Sequence, residues 1–356
     1  MTEMVSNNMK ARFAPAVNHP VQDGTTGIVT ADLTGDGTLD AVVINHNSDS
    51  VSVLLGDGSG GFGPPKHYPT GGGPCGIAPT DLTGDGVVDL AVANYKSNFV
   101  TVLRGDGDGG FTVTEAPLDR RGPSRVAGGD FTGTGTLDLA AVYFDADSLT
   151  VLLGDGEGGF TRGPTDYPTG GGPSGVIAAD LTGDGALDLV TANYRTNDIT
   201  VLLGDGAGGF KAPVNIPVGG AGPSDVVAGD LTGNGVLDLV TADFKTDSVT
   251  VLFGDGKGGF SAPVTIGAGK GPSGVTVADL GGDGTLDIAV ANYKSDDVTI
   301  LLGDGTGKFH ESFALPAGKG AARVVAADLD GNGALDLLTA NYDSCDVTVL
   351  RNIRRM

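Results

Sequence analysis

A nine-residue phrase, Asp32-Leu-Thr-Gly-Asp-Gly-Thr-Leu-Asp40, occurs seven times at intervals of 49 or 50 residues, restarting at Asp81, Asp130, Asp180, Asp230, Asp279 and Asp328. A fixed period of this size constrains the fold strongly, because each unit must bury its apolar face against a neighbour built like itself. Length alone, 356 residues, would suggest two or three domains. No linker separates the units, so residues 1–356 read as one domain with repeats beginning near 24, 73, 122, 172, 222, 271 and 320. The 63 glycines recur at set places inside the repeats and mark tight turns.

In the fourth unit, residues 174–180, 187–193, 199–203 and 212–218 are four short runs rich in Val, Ile and Thr, divided by Gly, Asp and Asn turns. No useful stretch carries the 3.6-residue period of a helix. Four antiparallel strands per unit, seven times over, predict an all-β, seven-bladed β-propeller. The first run of each unit is rich in Ala, Gly and Val, which suits the crowded centre, so it is expected innermost. Residues 12–21 match the fourth-strand segment 210–218, while the last unit stops at its third strand, 347–350. Segment 11–21 should therefore form the outer strand of the last blade and close the ring, removing an exposed edge.

Three marks recur through the units: Asp-Leu-Thr-Gly-Asp-Gly-x-Leu-Asp, Ala-Asn-Tyr, and Val-Leu-Leu-Gly-Asp-Gly-x-Gly-Gly-Phe. From Phe13 to Leu350 the chain resembles FG-GAP/VCBS repeats, the blades of integrin α-subunit heads, bacterial surface proteins and fungal lectins. The resemblance implies a binding or adhesion role, with the ligand face opposite the aspartate loops.

Positions one, five and nine of each phrase carry the carboxylates: Asp32, Asp36 and Asp40; Asp81, Asp85 and Asp89; Asp180, Asp184 and Asp188. Three such charges in one short loop repel one another by ~3 kcal/mol per pair at about 5 Å and an effective dielectric near 20. A hard, oxygen-seeking cation would remove that cost, and the flexible loop suits Ca²⁺ better than Mg²⁺. The position-seven carbonyl (Thr38, Val87, Ala186) can add a ligand. The sites are expected to be unequal. Unit five offers Asp230, Asn234 and Asp238; unit six offers Asp279, Asp283 and Asp287, with Gly281 at position three. Unit seven offers Asp328, Asp330, Asn332 and Asp336, and unit three, with only Asp130 and Asp138, is expected to be the weakest. Up to seven structural calcium ions, one per blade, are thus expected. An EF-hand is excluded, because the flanking helices and the Glu at position twelve are missing.

The formal charge of −23 disfavours nucleic acid and anionic membranes as partners. No stretch approaches the ~18 apolar residues of a membrane-spanning helix, and residues 1–13 lack the apolar core of a signal peptide. Gly56-Asp-Gly-Ser-Gly-Gly61 fits a dinucleotide fingerprint but leads into a strand, which argues for a hairpin. The histidines 19, 46, 67 and 310 are scattered, and Cys75 and Cys345 lie in different repeats, so no catalytic or zinc constellation is indicated.

Departures from the repeat are the best ligand candidates. Entry to the first strand reads Gly27, Gly76, Arg125, Gly175, Asp225, Gly274 and Arg323. The hairpin after the second strand shows His46, Tyr95, Phe144, Tyr194, Phe244, Tyr293 and Tyr342, read as inter-blade packing. The next residues, Asn47, Lys96, Asp145, Arg195, Lys245, Lys294 and Asp343, read as a solvated rim. Unit three departs most, with Arg120, Arg121, Arg125 and Tyr143. Arg125, Arg323, Asp225 and Tyr143 are expected to line a pocket for an anionic or polyhydroxy ligand. The leading expectation is a monomeric, non-catalytic, calcium-stabilised binding module for a glycan or protein, outside the cell or on its surface. An enzyme with its pocket at the channel mouth is the alternative, either polysaccharide lyase-like or a calcium-dependent biosynthetic alkylating or cyclising one, and a cytoplasmic location is the alternative to the cell exterior. A repeat scaffold without a specific ligand is the third.

Overall fold

The computed structural model describes residues 9–10, 12–118 and 122–353, so Arg120 and Arg121 lie outside the described residues. Twenty-eight strands form seven four-stranded antiparallel sheets. In the first blade the strands are Thr25–Ala31, Asp40–Asn45, Ser50–Leu54 and Lys66–Pro69, in that order from the centre outward. The first strands of all seven blades line one central cavity, confirming the expected innermost placement.

Burial explains the composition of the strands. The second strand is buried at every position, in the first blade (Asp40–Asn45) as in the fourth (Asp188–Asn193). Both of its faces meet neighbouring blades, so it reads as a nearly continuous apolar run instead of alternating. The core accordingly lies between blades: Leu33, Val42 and Val53 of the first pack with Leu90, Val92 and Leu103 of the second. Each such side chain contributes about 1.5–3 kcal/mol relative to exposure. Outer strands differ in length. Phe111–Pro117 and Phe309–Pro316 are long, whereas Val214–Pro217 and Val264–Gly267 have four residues each. Pro213 and Pro263 stand just before the short ones and cannot donate to the ladder.

The ring closes as expected. Val17–Pro20 pairs antiparallel with Asp346–Leu350, with Val17 opposite Val349 and Pro20 opposite Asp346. Pairing continues past the strand: the Ala14 N–H donates to the Arg351 carbonyl at 2.8 Å and the Ile353 N–H to the Arg12 carbonyl at 2.7 Å. Met9 and Phe13 sink into the apolar cluster shared by the last two blades.

Successive blades are also latched through their hairpins. Asp49, Asp147, Asn197, Asp247 and Asp296 hold positive φ angles, and each side chain accepts an N–H from the next blade, that of Gly73, Gly172, Gly222, Gly271 or Gly320, at 2.7–2.8 Å. At the junction that closes the ring the residue is Cys345, φ +56°. Its thiol lies 3.3 Å from Asp23 Oδ1 and offers only a weak acceptor to the Gly24 N–H. Asparagine tolerates positive φ and would restore the latch, so Cys345→Asn should stabilise the fold by about 1 kcal/mol. A lowered denaturation midpoint for this variant would refute that account.

Candidate functional site

The aspartate loops sit where each first strand turns into the second. In the first, Asp32 Oδ1 accepts the Gly35 N–H at 2.7 Å and Oδ2 accepts the Gly37 N–H at 2.8 Å. Burial acts to raise this carboxyl, but the surrounding N–H donors outweigh it and hold it below its ordinary value. Asp40 ties the loop to the Gly-Asp-Gly hairpin: Oδ2 accepts from Leu33 at 2.9 Å and Oδ1 from Gly56 at 2.8 Å. Burial raises its pKa, and it pushes Asp287 and Asp336 up to about 6.

Asp36 and Asp85 are exposed, each accepting the N–H two residues on, from Thr38 at 2.7 Å and Val87 at 2.9 Å, so a local turn holds them outward. Among the described residues only loop seven brings three carboxylates together: oxygens of Asp328, Asp330 and Asp336 lie within 4.8 Å of one another. Position three thus supplies the converging group. Threonine holds it in five loops and Gly281 in the sixth. The donor set of loop seven fits a divalent, oxygen-seeking ion; the others offer fewer converging carboxylates. In loop three, the Thr132 and Thr134 hydroxyls bond each other at 2.9 Å.

At the opposite end of the first strands, the rim has a packing logic. The rings of Phe144, Tyr194, Phe244, Tyr293 and Tyr342 stand 6.2–6.4 Å apart in sequence around the ring. Each ring also meets the residue after the next blade's ring. Arg195 lies over Phe144, Lys245 over Tyr194 and Lys294 over Phe244, at 4.1–4.4 Å. The Tyr95 hydroxyl donates instead to Asp145, that of Tyr293 to Asp343 and that of Tyr342 to Asn47. The mixed charge of the rim is therefore set by its inter-blade partners.

Inside the rim, Arg125, Asp225 and Arg323 enter the mouth of a central cavity of about 320 Å³. Asp225 reaches across to pair with Arg323 and also accepts the Val275 N–H at 3.2 Å. Arg323 donates to the Ser273 carbonyl at 3.1 Å, and Arg125 to the Ser124 carbonyl at 3.0 Å. Among the described residues no carboxylate lies within ion-pair distance of Arg125. Burial within the ring, then repulsion from Arg323, lowers its pKa to about 10.

The charged residues stand on blades three, five and seven, and the preceding blade offers glycine each time. A Cβ on Gly76 would lie 2.7 Å from the Arg125 Cα, one on Gly175 3.3 Å from the Asp225 Cα, and one on Gly274 2.8 Å from the Arg323 Cα. Those glycines clear the space that the charged residues occupy. This alternation of charge and glycine was present in the sequence as a pairing signal but becomes meaningful only around a ring.

Tyr143 does not join this group. It is 1% exposed, packed with Ala93, Val100 and Leu139 between blades two and three. It stands where most blades carry the last residue of the second strand as Asn, and that residue points into the blade, away from the channel. Cys75 lines the cavity, but its thiol donates to carbonyls of Ala93 and Pro123, as the Ser174 hydroxyl does to Ala192 and Pro223. Burial pushes the Cys75 thiol up, with Arg125 opposing, so it is a protonated strut instead of a nucleophile.

Comparison with known proteins agrees with this architecture. No curated protein matches the chain. An Agrocybe aegerita lectin, solved in a study of recognition of non-reducing terminal N-acetylglucosamine, is 24% identical; the alignment covers 90% of this chain and 86% of the lectin, with a TM-score of 0.59. BBS1N, in complex with ARL6DN, is 12% identical over 97% of this chain and 98% of its own, TM-score 0.68. Hydrazine synthase from Kuenenia stuttgartiensis is 18% identical over 91% and 97%, TM-score 0.63. These likenesses concern the fold. The FG-GAP-like repeat model matches residues 32–92, 81–141, 130–191, 180–241, 237–290 and 282–339, and the chain accordingly belongs to the FG-GAP-like repeat family.

Proposed function

We propose that this protein is a non-catalytic binding module, tightened by calcium in its aspartate loops, that takes a glycan or protein ligand on the face around the channel mouth. One observation carries the reading. Arg125, Asp225 and Arg323 line the cavity mouth at repeat positions that are glycine in the other four blades, so the fold itself does not require charge there. The similarity in fold to a lectin and to a propeller solved with a protein partner supports the same reading.

The ligand half is tested on a glycan array and by capture of candidate proteins, using the intact protein and an Arg125→Ala/Arg323→Ala double variant. Loss of each captured ligand in the variant is expected; undiminished binding would end the proposal. The calcium half is tested by thermal unfolding. Adding calcium to chelated protein should raise the midpoint, since an ion at ~100 times its Kd contributes about 2.7 kcal/mol per site. Asp330→Ala should shrink that rise by removing a converging carboxylate of loop seven. A midpoint indifferent to calcium would refute it. Many weak sites of this kind suit an extracellular setting, where calcium is millimolar.

A further inference from the structure

We infer that the group entering the channel is a single carboxylate carried on a compact apolar body. The inference rests on the channel mouth being the ligand site and adds the chemistry of what it accepts. Three observations lead there.

The mouth holds two guanidinium groups and one carboxylate. Asp225 is committed to Arg323 and to the Val275 N–H, which leaves Arg125, among the described residues, without a carboxylate at ion-pair distance. One negative charge balances the trio; two would overfill it. Arg125 presents a planar fork of donors; one is used on the Ser124 carbonyl and another faces the Cys75 sulfur. The remainder match a carboxylate, which accepts in the plane through two oxygens.

The side chains behind the trio are apolar. Ile28, Val29, Ile77, Val176, Val227 and Val325 line the cavity, and Thr276 is the one hydroxyl-bearing residue among its lining side chains. A sugar ring would find few side-chain partners for its hydroxyls there, whereas an alkyl or aryl group would exchange water for valine and isoleucine. The cavity at the mouth, about 320 Å³, is at the lower end for small-molecule sites and suits a compact body.

Asp225 occupies the place a second ligand charge would take. It acts as a built-in counter-ion that sets the valence of the ligand, and removing its charge should convert a monoanion site into a dianion site.

The chemistry could arrive as a free monocarboxylic acid or as the C-terminal residue of a protein. Calorimetric titrations of the full chain with hexanoate and benzoate test the first source. N-acetyl-leucine, with its amide as the uncharged control, tests the second. Hexanoate or N-acetyl-leucine should bind, while hexanamide and N-acetyl-leucinamide should not. Arg125→Ala and Arg125→Met should each weaken binding at least tenfold, the second keeping the aliphatic stem so that packing is preserved. Asp225→Asn should raise affinity for adipate, a dianion, about tenfold relative to hexanoate. Failure of all carboxylates to bind at millimolar concentration, binding undiminished from the unmodified protein in both Arg125 variants, or an unchanged adipate-to-hexanoate ratio would overturn the inference. If the carboxylates fail yet an array ligand is lost in the double arginine variant, this inference falls and the binding-module reading stands. If the array ligand also survives that variant, both fall.

Discussion

Deleting residues 1–21 should unfasten the ring and cost more stability than any single substitution. The deletion removes the strand Val17–Pro20 and leaves Asp346–Leu350 with an unpaired ladder. An exposed strand of that kind pairs with other chains, so the truncated protein should self-associate as well as unfold early. It also removes Met9 and Phe13, 5% and 8% exposed, from the cluster between the last two blades. The milder test is Phe13→Ala, which keeps the strand and deletes one buried ring. A loss of about 3 kcal/mol is expected by denaturant titration. A truncated chain that stays monomeric and unfolds at the same denaturant concentration would show that closure contributes nothing.

A second large effect should come from Asp243→Asn, with the opposite sign. In five other blades the last residue of the second strand is asparagine: Asn45, Asn94, Asn193, Asn292 and Asn341. Asn193 shows its use, donating to Asp198 and Thr200 at 2.8 Å each. In blade five a carboxyl stands there instead, 0% exposed, accepting from Thr241 at 2.9 Å and Thr250 at 2.6 Å. Hydroxyl donors do not offset the loss of water around a charge. Burial pushes Asp243 up to about 6, against those hydroxyls. Because the folded state holds this proton more tightly than the unfolded chain, both states are protonated below about pH 4 and there is no penalty. Stability then falls as pH rises from about 4 to 6, and the full penalty remains above that. A shift of about two pKa units corresponds to about 3 kcal/mol. The asparagine variant should therefore gain little at pH 4 and the most at pH 8. A stability difference that stays flat across that range would contradict the assignment.

The legibility of the candidate site was uneven for reasons that can be traced to particular residues. Arg125, Asp225 and Arg323 stand out in the sequence because glycine fills the corresponding position elsewhere, and the fold brings all three to one cavity. Tyr143 stands out as strongly, yet it lies in the core. A residue that breaks a repeat can face a neighbour as readily as a ligand, and Tyr143 ends a second strand that is buried at every position. The rim residues are exposed, as the sequence reading expected, and they also answer the ring of the preceding blade: Arg195 covers Phe144, and Asp145 accepts from Tyr95. Those partners are about fifty positions apart in the chain and are invisible to any local window. In loop seven, Asp330 at position three, already named from the sequence with Asp328 and Asp336, lies beside both.

Periodicity alone determined the blade count, the strand order and the closing role of the N-terminal segment, since equal units with one apolar pattern have few ways to bury it. That Asp225 chooses Arg323 over Arg125 came only from the assembled ring. Pairing across a channel depends on curvature and on glycine-made clearance between blades, and neither is written in the spacing of residues along a strand.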